Sequence, residues 1–189
     1  MTSKGKIFVF TAPSGAGKTS IAKRILESYP DFVFSISATT RRRRKNETEG
    51  KDYFFLSEKE FLLKRDNNEF IEWEEFYDYY YGTLRSFIDE KLNNGKNIVL
   101  DIDVKGALNI IRNYPEAVSF FINPPSKEVL IKRLIGRNTE TEDDLKKRKD
   151  RANMELSYCD KFHYQIINED LEVAVNEVKV KIDKELNKE

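Results

Sequence analysis

The chain has 189 residues, 39% hydrophobic and 35% charged, with 33 Lys plus Arg balancing 33 Asp plus Glu. That length fits a single domain with a proper core, and the even charge argues against bulk attraction to nucleic acid or an anionic membrane. Its one cysteine, Cys159, excludes an intramolecular disulfide. No apolar run approaches the roughly 18 residues of a membrane span, and Met1 to Lys6 lacks the layout of a signal peptide. The expected compartment is therefore the cytoplasm, with no membrane and no nucleic-acid partner.

Lys6 to Ala12 is rich in Ile, Phe and Val and ends in Pro and Gly, which predicts a buried strand. Ile21, Ala22, Ile25, Leu26 and Tyr29 then recur at helical spacing and Pro30 follows, predicting a helix of about three turns. Between that helix and Asn97 the rhythm changes. Phe32 to Ser37, Tyr53 to Leu56 and Phe70 to Phe76 predict short strands separated by polar turns. Ser57 and Glu60 suit a capping box for a short helix through Phe61, Leu62 and Leu63, and a helix through Phe87, Ile88 and Leu92 should end at Gly95. This region is expected to be an antiparallel insertion on a parallel core, suited to binding a second substrate.

From Asn97 onward buried strands return at Asn97 to Asp101, Val118 to Asn123 and Tyr164 to Asn168. Helical patterns over Gly106 to Asn113, Lys127 to Arg137 and Leu171 to Leu186 separate or follow them, and Thr141 with Asp144 suits a helix N-cap. Alternating buried strands and helices imply a parallel sheet covered on both faces, an α/β architecture.

The motif richest in chemistry is Ala12-Pro13-Ser14-Gly15-Ala16-Gly17-Lys18-Thr19, between the first strand and the first helix. Gly15 and Gly17 let the chain turn with its N–H groups pointing inward. The helix N-terminus adds unsatisfied donors and a partial positive charge. Lys18 can reach the β- and γ-phosphates of a nucleotide, and the Thr19 hydroxyl can ligate magnesium. The usual pattern begins with Gly where this chain has Ala12; the Gly-Lys-Thr end is intact.

Asp101 ends a buried strand, from which a P-loop enzyme often orients magnesium directly or through water; a simple turn former is the competing reading. Asn168, just after the last strand, is placed to approach an adenine base. For the second substrate, a carboxylate can accept two adjacent donors, as guanine offers at N1–H and its 2-amino group. Glu72, flanked by Phe70, Ile71 and Trp73, suits that task, and Asp103 is a second candidate. Ser37 and Thr83 can complement O6 or the neighbouring ring nitrogen. Taken alone, Glu72 would read as the solvent side of an alternating strand. Arg41 and Arg44 supply guanidinium groups for a phosphate, and Tyr53 and Tyr81 supply hydroxyls.

Ser37-Ala38-Thr39-Thr40-Arg41, Gly50-Lys51-Asp52-Tyr53, Glu69-Phe70-Ile71-Glu72-Trp73, Tyr80-Tyr81-Gly82-Thr83 and Leu100-Asp101-Ile102-Asp103 follow the P-loop in that order. In this series the chain resembles the guanylate kinase family over about nine-tenths of its length. The resemblance implies a P-loop NTPase-type parallel sheet flanked by helices, with a small mixed β/α GMP-binding insertion and a helical lid. A single domain over 1–189 would comprise a core (1–34, 96–125, 159–189), a GMP-binding region (35–95) and a lid (126–158). It implies transfer of phosphate from MgATP to GMP, and usually dGMP, with Arg41, Arg44, Tyr53 and Tyr81 at monophosphate-binding positions. Arg133, Arg137 and Arg148 match the lid arginines, which with Lys18 and Arg41 would act on the transferring phosphate; by spacing alone they read as solvated. The polar stretch Asn138 to Asp144 would be the lid's mobile tip. Arg42 and Arg43 stand where prolines are common in the family.

Two other readings remain open on the residues. One is a non-catalytic, guanylate-kinase-like binding module. The other is a P-loop kinase with a different acceptor. The single His163 and Cys159 carry no catalytic pattern.

Overall fold

A computed structural model describes residues 4–76, 78–135 and 142–188. In chain order its elements are β1 (Ile7–Thr11), α1 (Lys18–Ser28), β2 (Val33–Phe34), β3 (Ala38–Thr39), β4 (Phe54–Phe55), α2 (Glu58–Asp66), β5 (Phe70–Phe76), β6 (Tyr79–Leu84), α3 (Arg85–Asn93), β7 (Ile98–Asp101), α4 (Val104–Asn113), β8 (Val118–Asn123), α5 (Lys127–Ile135), α6 (Glu142–Leu156), β9 (Tyr164–Ile167) and α7 (Leu171–Leu186). A short 3-10 turn, Cys159–Lys161, precedes β9.

The core sheet has five strands in the order β2-β7-β1-β8-β9, and every pairing in it is parallel. β1 is buried at all five residues because both faces are covered. Phe8, Phe10, Val99, Phe120 and Ile122 pack against Ile21 and Ile25 of α1 and Val178 and Ile182 of α7, with the Phe10 and Phe120 rings stacked 5.0 Å apart. Ile7, Val9, Ile98, Leu100 and Phe121 pack on the other face against Ile88 and Leu92 of α3 and Val104, Ala107 and Ile110 of α4. The chain leaves β1 towards β2 on one side, and from β7 crosses to β8 on the other. That reversal opens a crevice at the strands' carboxyl ends, where α/β sheets bind ligands.

The second sheet has the order β4-β3-β6-β5. It is mixed: β3 and β4 run parallel, while β3–β6 and β5–β6 are antiparallel. Phe61, Phe70 and Ala38 form its small core. The predicted Phe32 to Ser37 strand shortens to Val33–Phe34, which joins the edge of the core sheet through β7, and the strand that enters the second sheet, Ala38–Thr39, begins just beyond it. The capping box on α2 forms in both halves, with Ser57 and Glu60 each bonding the other's main-chain N–H. Gly95, at φ 71°, ends α3: its N–H bonds Leu92 O at 3.0 Å and the next N–H bonds Lys91 O at 3.0 Å, a Schellman motif. α4 begins two residues before the expected Gly106, because Asp103 caps it. Among the described residues no helix is long and apolar enough to cross a membrane.

Candidate active site

The P-loop leaves the carboxyl end of β1 and enters α1 at Lys18. Gly15 and Gly17 take φ values of 89° and 92°, the left-handed region that only glycine enters without strain. Gly17 is also the N-cap of α1, and the first turn of that helix carries no acidic side chain and no side-chain cap. No side chain of α1's own first turn compensates the positive helix end, which suits an incoming anion.

Lys18 Nζ ion-pairs with Asp101 and donates to the Ile102 carbonyl at 2.9 Å, because β7 lies beside β1 with Asp101 opposite Phe10. The lysine and the candidate magnesium ligand thus share one point. Thr19 is exposed on the first turn of α1. Asn168 is tied to the P-loop. Its side chain lies beneath the loop, with only 6% of the residue exposed, and Nδ2 donates to the Ala16 carbonyl at 2.7 Å. A Cβ on Gly17 would come within 2.2 Å of that Nδ2. Asn168 therefore braces the loop through the Ala16 carbonyl.

In the second sheet Arg41, Tyr53 and Tyr81 come together. The Arg41 guanidinium lies 5.3 Å from the Tyr53 ring centroid, and the Tyr53 and Tyr81 rings meet edge-on at 6.2 Å. Both terminal guanidinium nitrogens of Arg41, Nη1 and Nη2, donate to Glu47, at 3.1 and 2.7 Å. That pairing raises the Arg41 pKa and lowers that of Glu47. A carboxylate held in this bidentate way shows that Arg41 presents a surface matched to an oxyanion. The Arg44 side chain is exposed, and its main-chain N–H bonds Glu47 at 2.8 Å. Glu47 carried no signal in the sequence beyond its place in a polar turn.

Glu72 owes its position to a β-bulge. The β5–β6 register shifts between Phe70, which faces Leu84, and Glu72, which faces Thr83. The irregularity breaks strict alternation, so Phe70 and Ile71 are both buried while Glu72 turns towards α4. Thr83 Oγ1 donates to Glu72 Oε1 at 2.5 Å. At the N-terminus of α4, Asp103 Oδ1 accepts from the Gly106 N–H at 2.8 Å. A Cβ on Gly106 would lie 2.9 Å from Glu72 Oε2 and 3.1 Å from Asp103 Oδ1, so the two carboxylates crowd one small space that only glycine leaves open. Burial pushes the Glu72 carboxyl up to about 7; the Thr83 bond opposes this, and the charges of Asp103 and Glu74 add to it. Ser37 is half-buried just before β3, and its carbonyl accepts from Phe54 N at 2.9 Å.

Arg133, on α5, reaches the Asn168 carbonyl at 3.5 Å, and Arg148, on α6, is half-buried. Arg137, Thr141 and most of the Asn138 to Asp144 stretch lie outside the described residues.

Two anion-matched groups of side chains, one at the P-loop and one on the second sheet, accompany the carboxylate pair. The family model for guanylate kinase matches residues 4–185. The chain belongs to the guanylate kinase family. Relatives bearing that name include one from Thermotoga maritima, 47% identical over 93% of this chain and 84% of its own length. One from Salinibacter ruber is 48% identical over 93% of this chain and 94% of its own. The crystal structure of guanylate kinase from Anaplasma phagocytophilum superposes with a TM-score of 0.77 at 35% identity, covering 98% of this chain and 88% of that one. Within this family member, sequence reasoning missed Glu47, Gly106 and the bracing role of Asn168. Only Gly106 left a trace, as the third residue after a capping Asp at the start of a helix.

Proposed function

We propose that this member of the guanylate kinase family transfers the γ-phosphate of ATP to GMP, and to dGMP, giving ADP and the nucleoside diphosphate. It would act in purine nucleotide metabolism and GMP recycling in the cytoplasm, as a single domain. Residues 1–34, 96–125 and 159–189 form the core, 35–95 the GMP-binding region and 126–158 the lid. The observation that carries the reading is the bulge-placed Glu72, tied to Thr83 and crowded against Asp103 over Gly106. Such a site offers acceptors to the paired donors of guanine and mismatches adenine, which lacks N1–H.

In this reading Gly15, Gly17 and the main chain from Ala12 through Thr19, with Pro13, Ser14 and Ala16, wrap the ATP phosphates. Lys18 leaves its pairing with Asp101 to follow the β- and γ-phosphates. Arg41, Arg44, Tyr53 and Tyr81 hold the GMP phosphate, releasing Glu47, while Ser37, Thr83 and Asp103 complement Glu72 at the base. The attacking phosphate is already anionic, so no general base is needed; the residues align the groups and spread the charge. Arg133, Arg137 and Arg148 would approach the transferring phosphate from the lid.

Magnesium fits the donors present. Thr19 and Asp101 offer hard oxygens at the P-loop, and among the described residues no cluster of three acidic, His or Cys side chains builds a protein cage. This suits an ion held largely by substrate phosphates and water. When bound, it would neutralise charge on the β- and γ-phosphates.

A panel of GMP, dGMP, AMP, CMP and UMP with MgATP tests the reading. GMP and dGMP should turn over and the others should lag by orders of magnitude. Turnover of AMP or a pyrimidine at a rate comparable to GMP would refute it.

Two further outcomes follow. Replacing Gly106 by Ala places a methyl 2.9 Å from Glu72 Oε2, and Glu72 cannot yield without stretching its Thr83 bond. KM for GMP should rise about tenfold with KM for ATP unchanged; a shared rise would show a general folding defect. The second concerns pH. A carboxyl near 7 must ionise to accept two donors, so guanine affinity should climb as pH rises through about 7 and level off above it. Guanosine is the right probe, since GMP's own phosphate titrates near pH 6. Inhibition by guanosine that is equally strong at pH 5.5 and 8 would refute this.

A further inference from the structure

Arg151 lies on α6, outside every motif the sequence offered. Its Nε bonds Glu155 Oε1 at 2.9 Å, and Nη2 lies 3.2 Å from Asp103 Oδ2 and 3.4 Å from Glu74 Oε1. One guanidinium therefore ties α6 to the N-cap of α4 and to β5. Glu74 is two residues beyond Glu72, past the bulge, and so shares its face. Glu155 is buried, at 5% exposure.

The arrangement has an electrostatic reason. Glu72, Glu74, Asp103 and Glu155 converge from β5, α4 and α6, and like charges at such range repel. The cations acting on Glu74 are Arg151 and, from α4, Lys105. Arg151 alone reaches Glu74, Asp103 and Glu155 together among the ion pairs of the described residues. The Asp103 carboxylate is thereby fixed at both ends, by the Gly106 N–H on one oxygen and by Arg151 on the other. Its orientation beside Glu72 is set by a residue on a different element.

We propose that Arg151, anchored by Glu155 and Glu74, is a positioning residue for purine selection: it aims Asp103 at the guanine edge beside Glu72 from the helix that borders the P-loop. A planar guanidinium can bridge several carboxylates at fixed angles, which an ammonium cannot. The proposal rests on the GMP reading above. It goes beyond it in assigning the orientation of the base-reading acids to a side chain on α6 that contacts Asp103 and Glu74 from outside the second sheet.

The experiment is steady-state kinetics on the full chain for Arg151→Met, Arg151→Lys and Arg151→Met with Glu74→Gln, beside wild type on the monophosphate panel. Arg151→Met should raise KM for GMP about tenfold, with KM for ATP within about twofold. The added Glu74→Gln removes one of the repelling charges and should recover part of that loss. A merely structural role would instead raise both KM values and leave the double variant no better. Arg151→Lys serves where Met does not fold: it keeps the charge but not the bridge, so KM for GMP should still rise selectively. An unchanged KM for GMP in the folded variants, parallel rises for both substrates, or no recovery in the double variant would each overturn the proposal. A wild-type enzyme that fails to phosphorylate GMP brings down the underlying reading instead, so the two failures are distinguishable.

Discussion

Lys18→Met should reduce kcat by about 10³-fold or more while leaving GMP affinity within twofold of wild type, measured by a coupled assay and by calorimetry. The size follows from what the ammonium does when the γ-phosphate moves. It carries a full positive charge, buried enough that 19% of its side chain is exposed, at the mouth of a helix that already favours anions. A charge preorganised in such a site stabilises the transferring group far more than it would in water. Its present partners, Asp101 and the Ile102 carbonyl, hold it beside the loop. The variant also strands Asp101, whose side chain is only 10% exposed, so some loss of stability is expected. Lys18→Arg separates the two effects. It retains the charge and the pairing with Asp101, but its broader, planar head cannot replace a point charge within a tight loop. It should therefore melt close to wild type and still lose most activity. A kcat within tenfold of wild type for both variants would remove Lys18 from the transfer step.

The parallel core was legible because burial on both faces leaves continuous apolar runs. β1, β7 and β8 lie within the predicted runs, and the helix predicted over Leu171 to Leu186 is observed at those bounds. Local chemistry was also legible: the Ser57–Glu60 capping box and the Gly95 terminus depend on neighbours in the chain alone. The second sheet was harder. β6 escaped notice because Tyr79, Tyr80 and Tyr81 show no alternation and the turn before it rests on Asp78, a non-glycine residue at φ 63°. The orientation of Glu72 depends on a register shift that belongs to the pairing of two strands and is visible in neither. Asn168 and Arg151 make the same point at longer range. Each acts on a loop or cap distant in sequence, Ala16 for one and Asp103 for the other, and no spacing rule reaches that far.

Glu72→Gln should lower kcat/KM for GMP by about 10²–10³ and leave KM for ATP unchanged. A carboxylate presents acceptors alone, whereas the amide must place an NH2 where an oxygen stood, with Thr83 still competing for the remaining carbonyl. One guanine donor then faces a donor. The loss combines a charge-assisted hydrogen bond with an unsatisfied buried group, each worth about 1–3 kcal/mol. IMP, which keeps N1–H and O6 but lacks the 2-amino group, sharpens the test: the wild-type preference for GMP over IMP should shrink in the variant, because the acceptor that the amino group used is gone. Stability should move the other way. The folded-state pKa of Glu72 is raised from 4.5 to about 7, so holding it ionised costs stability above pH 4.5, and that cost grows to its full size by about pH 7. Gln carries no such cost, so the variant should melt higher than wild type at pH 8, and the gain should vanish as pH falls towards 4.5. A site selected only for stability would not retain an acid whose removal stabilises the fold. Loss of activity towards GMP and ATP in equal measure, or a lower melting temperature at pH 8, would show that Glu72 serves the fold and not the base.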